Sequence, residues 1–323
     1  MDQIIHRIKN ANSIFIASHA NPDGDAIGSL IAMGLAMNSM GKRYTLYNES
    51  IIPTVYRFLP SVESVVQHLR HDQHYDCAII LDCGNLQRIG QAAQIIQHVP
   101  TIINVDHHLT NTRFGHCQLI DTDACSTAEI VYHIIKALDI SMTVELATAI
   151  YTGILTDTGS FRFSNTNRAA FAICDEMVDL GVDPYAIAQH VYGTYSMGRI
   201  KLLNLALDSI EMSPNGKLSM MTVTRDMLDN TNTHPEDVDG MINYAKRIKD
   251  VKVAALVQEK INGSRCDSEI HKLHVSLRSD GSVDVSMIAS QFGGGGHSSA
   301  AGFNIDTSIS DIKAKLLHFA KSI

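Results

Sequence analysis

The 323-residue chain has no excess of basic charge: 26 Lys and Arg stand against 34 Asp and Glu, a formal net charge of −8. A protein that holds long nucleic acid on a broad face needs many Lys/Arg–phosphate contacts, so that class is excluded. A short phosphorylated ligand held by a few groups or by metal ions is not. The six cysteines, at 77, 83, 117, 125, 174 and 266, include no C-x-x-C pair. Together with the chain length, this argues against a disulfide-stapled or zinc-ribbon module and for reduced thiols. No segment reaches the roughly 18 consecutive apolar residues of a membrane span. The first residues, MDQIIHRIKNANSIFIAS, lack the basic flank, apolar run and small-residue cleavage site of a leader. A cytoplasmic protein without a membrane segment is expected. Long Pro/Gly/Ser linkers and internal repeats are also missing, and the one low-complexity tract is Gly293–Gly296.

The composition present, 45% hydrophobic and 19% charged, is that of an ordinary globular protein with enough chain for two domains. In the first half, apolar runs at Ser13–Ser18, Ala78–Leu81 and Thr101–Val105 alternate with helical patterns at Ala26–Met40, Gly90–His98 and Thr127–Leu138. Strand–helix alternation predicts an α/β domain: a parallel sheet with helices on both faces. Helical patterns follow at Val144–Leu155, Asn167–Leu180, Pro184–Val191 and Met197–Asp208. From Lys217 the pattern reads as strand (LSMMTVT), helix (Pro235–Ile248), strands (VKVAALVQEK and LHVSLRS), a glycine turn at 293–296 and a last helix over Ile309–Lys321. The expected division is residues 1–190, a helical connector 191–210, and a smaller α/β domain 211–323.

Each of the three apolar runs ends in a polar cluster: His19-Ala-Asn-Pro-Asp-Gly-Asp25, Asp82-Cys-Gly-Asn85 and Asp106-His-His108. Ligands of parallel α/β sheets sit outside the carboxyl ends of the strands, so these clusters would share one edge. Alone, Asp82-x-Gly-Asn is more often a turn, and a His-His pair more often structural. Together with Asp157, however, four acidic clusters fall at four element ends. Converging carboxylates repel and raise one another's pKa. Two divalent cations about 3.5–4 Å apart relieve that repulsion and provide a clamp for displacement at phosphorus. Mixed imidazole and carboxylate donors without cysteine favour Mn²⁺, with Fe²⁺ or Zn²⁺ next and oxygen-preferring Mg²⁺ behind them.

The segments SHANPDGDAIGS, LDCGN, VDHHLTN and GILTDTGSFRFSNT resemble the four successive motifs of the DHH phosphoesterases, and FGGGGHSSAAGF resembles the terminal motif of their DHHA1 domain. The five stand in the family order across nearly the whole chain. The resemblance implies a DHH catalytic domain and a DHHA1 substrate-binding domain. It assigns one metal to His19 and Asp23, the other to Asp25, His107 and Asp157, and places Asp82 as the bridge. It implies that Asp106 orients a ligand histidine and that His108 faces the scissile phosphate. Arg278, Gly294, Gly295, Gly296 and His297 would hold the rest of the substrate; Arg162 and Arg113 are weaker candidates and read as structural.

The length is similar to the oligoribonuclease/pAp phosphatase (nanoRNase) branch of that family. That branch implies Mn²⁺-dependent hydrolysis, with Mg²⁺, Fe²⁺ or Co²⁺ as substitutes. The implied substrates are short RNA oligonucleotides of about two to five residues, giving mononucleotides, and 3′-phosphoadenosine 5′-phosphate, giving AMP. A phosphodiesterase of linear or cyclic dinucleotides (pApA, pGpG, cyclic di-AMP) shares every catalytic motif. A RecJ-like exonuclease would carry further DNA-gripping domains, and a family-II pyrophosphatase would lack the glycine motif. A non-catalytic nucleotide sensor leaves intact metal ligands unexplained. Family members are often dimers, so a homodimer is compatible with this reading.

Overall fold

The computed structural model describes residues 1–69, 73–193, 195–260, 270–321 and 323. Cys266, one of the six cysteines, lies outside the described residues. The chain forms two compact units, Met1–Thr194 and Tyr195–Ile323.

In the N-terminal unit, strands β1 (Ser13–Ala17), β2 (Arg43–Tyr47), β3 (Val65–Val66), β4 (Cys77–Leu81), β5 (Ile102–Asp106) and β6 (Cys117–Ile120) form one parallel sheet in the order β3-β2-β1-β4-β5-β6. Helices α1 (Asp2–Asn10), α2 (Gly24–Ser39), α3 (Ala92–Ile96), α4 (Thr127–Ala137), α5 (Val144–Asp157), α6 (Arg168–Asp179) and α7 (Pro184–Tyr192) complete it. Alternation along the central strands feeds two cores. Ile14 and Ile16, Ile79 and Leu81, and Ile103 and Val105 pack with α2, α4 and α5. Phe15 and Ala17, Ala78 and Ile80, and Ile102 pack on the other face with Ala92 and Ile96 of α3. Both faces are therefore covered, which is why these strands read as unbroken apolar runs. Strand order reverses between β1 and β4, so the loops after those two strands diverge and leave a crevice at their carboxyl ends.

The C-terminal unit begins with α8 (Met197–Asp208) and has a six-stranded mixed sheet. Its strands are β7 (Glu211–Met212), β8 (Leu218–Val223), β9 (Val253–Glu259), β10 (His271–Ser279), β11 (Gly295–His297) and β12 (Ala300–Thr307), ordered β11-β12-β10-β9-β8-β7. Among the described residues, only the β8–β9 pair of this sheet is parallel. Helices α11 (Val285–Ser290) and α12 (Ile309–Ala320) pack on one face. On the other face lie α8, α9 (Arg225–Thr231) and α10 (Ile242–Lys246).

Three expectations are corrected. The helix expected over Pro235–Ile248 is a 3-10 turn, Pro235–Val238, and the short α10; Gly240, at φ +78°, separates them. The helix expected over Gly90–His98 is only α3, preceded by a 3-10 turn at Leu86–Ile89. The glycine run is a turn only at Gly293 (φ +74°), after which Gly295–His297 pairs with β12 as an edge strand. A Cβ at Gly294 would lie 2.2 Å from the Gly302 carbonyl oxygen, so close packing of backbone on backbone requires glycine there.

Candidate metal centre

The crevice gathers side chains from five element ends. His19 follows β1; Asp23 caps α2, its carboxylate accepting the Ala26 N–H at 3.0 Å; Asp25 lies in the first turn of that helix. Asp82 directly follows β4, Asp106 ends β5 with His107 and His108 after it, and Asp157 ends α5. His19, Asp25, Asp82, Asp106 and His107 are buried, whereas the Asp23 side chain is 58% exposed and that of Asp157 25%. Asp82 adopts φ +56°, an unfavourable conformation for a residue with a Cβ, while its N–H still bonds the Val105 carbonyl at 2.9 Å. Held there, it sits among three imidazoles.

The two oxygens of Asp82 face two different donor groups. Oδ2 lies 3.4 Å from His19 Nε2, which is 3.9 Å from Asp23 Oδ1. Oδ1 lies 3.9 Å from His107 Nε2, which is 4.0 Å from Asp25 Oδ2 and 3.6 Å from Asp157 Oδ2. His19, Asp23 and Asp82 form one cluster, and Asp25, Asp82 and His107 a second, in each of which the ligand atoms lie within 4.8 Å of one another. This donor set is compatible with two divalent cations sharing one carboxylate.

The charges point the same way. Burial pushes the Asp25 carboxyl well above the usual range, and the charges of Asp82 and Asp157 push it further. Burial, then Asp23 and Asp82, does the same to Asp157, which lies in protein-dense surroundings despite its exposed edge. Burial would also raise Asp82, but its bond to His19 and the imidazoles of His108, His19 and His107 outweigh that and hold it low. Burial opposes charge on His19, His107 and His108, yet neighbouring carboxylates win and raise all three. Close-set carboxylates competing in this way are compatible with neutralisation by cations.

A layer of hydrogen bonds orients these groups. His107 Nδ1 lies 3.3 Å from the Ala124 carbonyl and His19 Nδ1 3.0 Å from that of Ala20, leaving both Nε2 atoms facing the carboxylates. Asp106 bonds His108 Nδ1 at 2.7 Å and accepts from Asn111 Nδ2 at 2.6 Å. Asp106 thus orients His108, and these two form a further group with Asp82 in which the possible ligand atoms lie within 4.8 Å of one another. Both oxygens of Asp25 accept backbone N–H groups, Thr127 at 2.7 Å and Ala128 at 2.8 Å. Thr127 Oγ1 donates to Asp82 Oδ1 at 3.0 Å, and Asn165 Nδ2 to Asp157 Oδ2 at 3.0 Å. Sequence reasoning assigned no role to Thr127, Asn111 or Asn165. The S-T-x-E start of a helix beside an acidic cluster was the available signal for the first.

In the C-terminal unit, Arg278 lies on β10 between Ala254 and Ala300 and donates through Nη1 to the Leu277 carbonyl at 3.0 Å. His297 ends β11, opposite Ala300. Gly295 has open space where a side chain would stand, whereas Gly294 and Gly296 abut β12.

Residues 13–154 match the model of the DHH family N-terminal domain, and residues 217–323 that of the DHHA1 domain. With the relatives that follow, this places the chain in the DHH/DHHA1 phosphoesterase family, and it is an enzyme of that class. Its relatives include the bifunctional oligoribonuclease and PAP phosphatase NrnA of Thermus thermophilus, 31% identical over 90% of this chain and 83% of that protein. The probable bifunctional oligoribonuclease and PAP phosphatase NrnA of Streptococcus mutans is 26% identical over 93% of this chain and 92% of that one. A crystal structure of an exopolyphosphatase-related protein from Bacteroides fragilis matches with a TM-score of 0.88 at 26% identity, covering 99% of this chain and 96% of that chain.

Proposed function

We propose that the protein is a two-metal phosphoesterase that hydrolyses short RNA oligonucleotides to mononucleotides and 3′-phosphoadenosine 5′-phosphate to AMP. The observation that carries this reading is the division of the Asp82 oxygens between the His19/Asp23 and His107/Asp25/Asp157 groups. The names of the Thermus and Streptococcus relatives support the substrate class. His19, Asp23, Asp25, Asp82, His107 and Asp157 would hold the ions, with Mn²⁺ preferred for this mixed nitrogen and oxygen set. Bound there, the ions supply charge stabilisation at phosphorus and a nucleophile available at neutral pH.

The chain's own contribution is orientation and proton supply. Asp106 fixes the His108 ring through Nδ1, leaving Nε2 to donate a hydrogen bond or proton toward the phosphoryl or leaving oxygen. Arg278, His297 and the amides of Gly294, Gly295 and Gly296 bind the substrate's terminal phosphate or base, a footprint suited to a few nucleotides. Asp23, Asp25, Asp82 and Asp157 supply four negative charges, which two divalent cations neutralise, so phosphate binding depends on the loaded state. A cytoplasmic location accords with the five described cysteines, all buried free thiols, and with no described helix being long and apolar enough to cross a membrane.

The test is Mn²⁺-dependent product release from a five-residue RNA, 3′-phosphoadenosine 5′-phosphate, pApA, pGpG and cyclic di-AMP, measured in parallel. Turnover of the first two is expected to dominate. Efficient turnover confined to the dinucleotides would replace this reading with a second-messenger phosphodiesterase, and binding without product would replace it with a sensor.

A further inference from the structure

Four of the six candidate ligands are held through one five-residue stretch, Ala124–Ala128, where the chain enters α4. The Ala124 carbonyl faces His107 Nδ1 at 3.3 Å. The Cys125 carbonyl accepts Asn165 Nδ2 at 2.8 Å, and the same nitrogen donates to Asp157. The Thr127 and Ala128 N–H groups take the two oxygens of Asp25, and Thr127 Oγ1 takes Asp82. The stretch is itself locked: Cys125, Ser126, Thr127 and Ala128 have no exposed surface, Ser126 Oγ caps α4 by accepting the Glu129 N–H at 3.2 Å, and Glu129 Oε2 accepts the Cys125 N–H at 2.8 Å. From below, α5 meets it with Gly153, where a Cβ would stand 2.6 Å from Ala128 Cβ and 3.1 Å from Asp25 Oδ1.

We propose that Ala124–Ala128 is a positioning frame for the His107/Asp25/Asp157 cation and that Thr127 fixes Asp25 relative to Asp82. Thr127 is the joint because one residue grips both carboxylates, Asp25 by its N–H and Asp82 by its hydroxyl. The paired N–H donors at the start of α4 fix the Asp25 carboxylate plane. Oδ1 of Asp25 also accepts the Ser29 hydroxyl at 3.4 Å, so Oδ2, 4.0 Å from His107 Nε2, is the oxygen that keeps a lone pair for a cation. The hydroxyl leaves Asp82 oriented with one oxygen toward each donor group; without it that carboxylate can turn. Cys125–Ala128 have no exposed surface to offer a substrate, so the role is one of orientation, and it rests on the two-metal reading above.

The test is Mn²⁺ affinity of the full-length wild type, Thr127→Val, Thr127→Ser and Asn165→Ala, by competition with a chelating dye, alongside the Tm of each chain in EDTA. Outer hydrogen-bond partners of metal ligands are worth roughly 10–100-fold in affinity, so Thr127→Val and Asn165→Ala should each weaken one of the two sites by about that factor. Thr127→Ser should restore wild-type affinity, and the metal-free Tm of Thr127→Val should stay within a few degrees of wild type. Thr127→Val with unchanged affinity, or Thr127→Ser as weak as Thr127→Val, overturns the frame. Should Thr127→Val not fold, Asn165→Ala decides on the same criterion. A wild type that binds no Mn²⁺ overturns the two-metal reading itself, which the same titration separates from failure of the frame.

Discussion

Asp106 Oδ1 and His108 Nδ1 are 2.7 Å apart, Asp106 as the last residue of β5 and His108 two residues further on. The carboxylate is completely buried and its other oxygen accepts Asn111, so it cannot swing away from the imidazole. This places the ring proton on Nδ1 and raises the His108 pKa against the burial that opposes it.

Asp106→Asn should therefore lower kcat by at least about tenfold, because the amide no longer enforces one tautomer and ring orientation. A donor with a raised pKa stays protonated to higher pH, so removing the raising carboxylate should move the alkaline limb of the kcat profile to lower pH. An unchanged limb in the variant would take His108 out of the proton-donor role.

Metal should stabilise the fold more as pH rises. Asp25 and Asp157, raised by burial and neighbouring charge, and His19, His107 and His108, raised by carboxylates that outweigh burial, all bind protons more tightly in the folded metal-free chain than when unfolded. That contribution is present at low pH and is lost as pH rises through the raised values. Asp82, held low, has the opposite sign, but its window lies in acid, below about pH 4. Cations replace the lost protons. The difference in Tm between Mn²⁺-loaded and EDTA-treated protein should grow as pH rises above about 4, where the carboxyls begin to contribute, and further above about 6.5, where the histidines join them. A difference independent of pH would contradict the linkage.

Gly153→Ala sets two magnitudes against each other. In an open helix interior the change gains about 0.8–1 kcal/mol from propensity. Here the added methyl meets Ala128 and crowds Asp25, and overpacking of this kind costs roughly 1–3 kcal/mol. A net loss of Tm, accompanied by weaker Mn²⁺ binding, is expected in thermal melts and titrations. A stabilised variant with intact affinity would show that α5 and α4 separate easily.

Legibility in the sequence followed burial. β1, β4 and β5 were readable because both their faces are covered and their apolar runs are unbroken. β2 (RYTLY) and β6 (CQLI) were not, since their half-exposed positions mix polar and apolar residues with no clean period. The glycine run looked like a loop because glycine signals freedom, whereas at Gly294 it serves close approach to β12. The Asp and His donors announced themselves by residue type at strand ends. Their orienting partners did not: Thr127 reads as an ordinary first residue of a helix, and only side-chain direction reveals what its hydroxyl holds. Nor does spacing tell which of the two adjacent histidines Asp106 bonds.

The shared use of Asp82 is tested most directly by Mn²⁺ stoichiometry and turnover in Asp82→Ala, with circular dichroism as the check on folding. Wild type should bind two ions per chain, close enough to give a spin-coupled Mn²⁺ resonance spectrum. Asp82→Ala should stay folded, lose that coupling and lose turnover even at high Mn²⁺. Asp82→Ala that still turns over substrate with added Mn²⁺ would contradict the two-metal assignment.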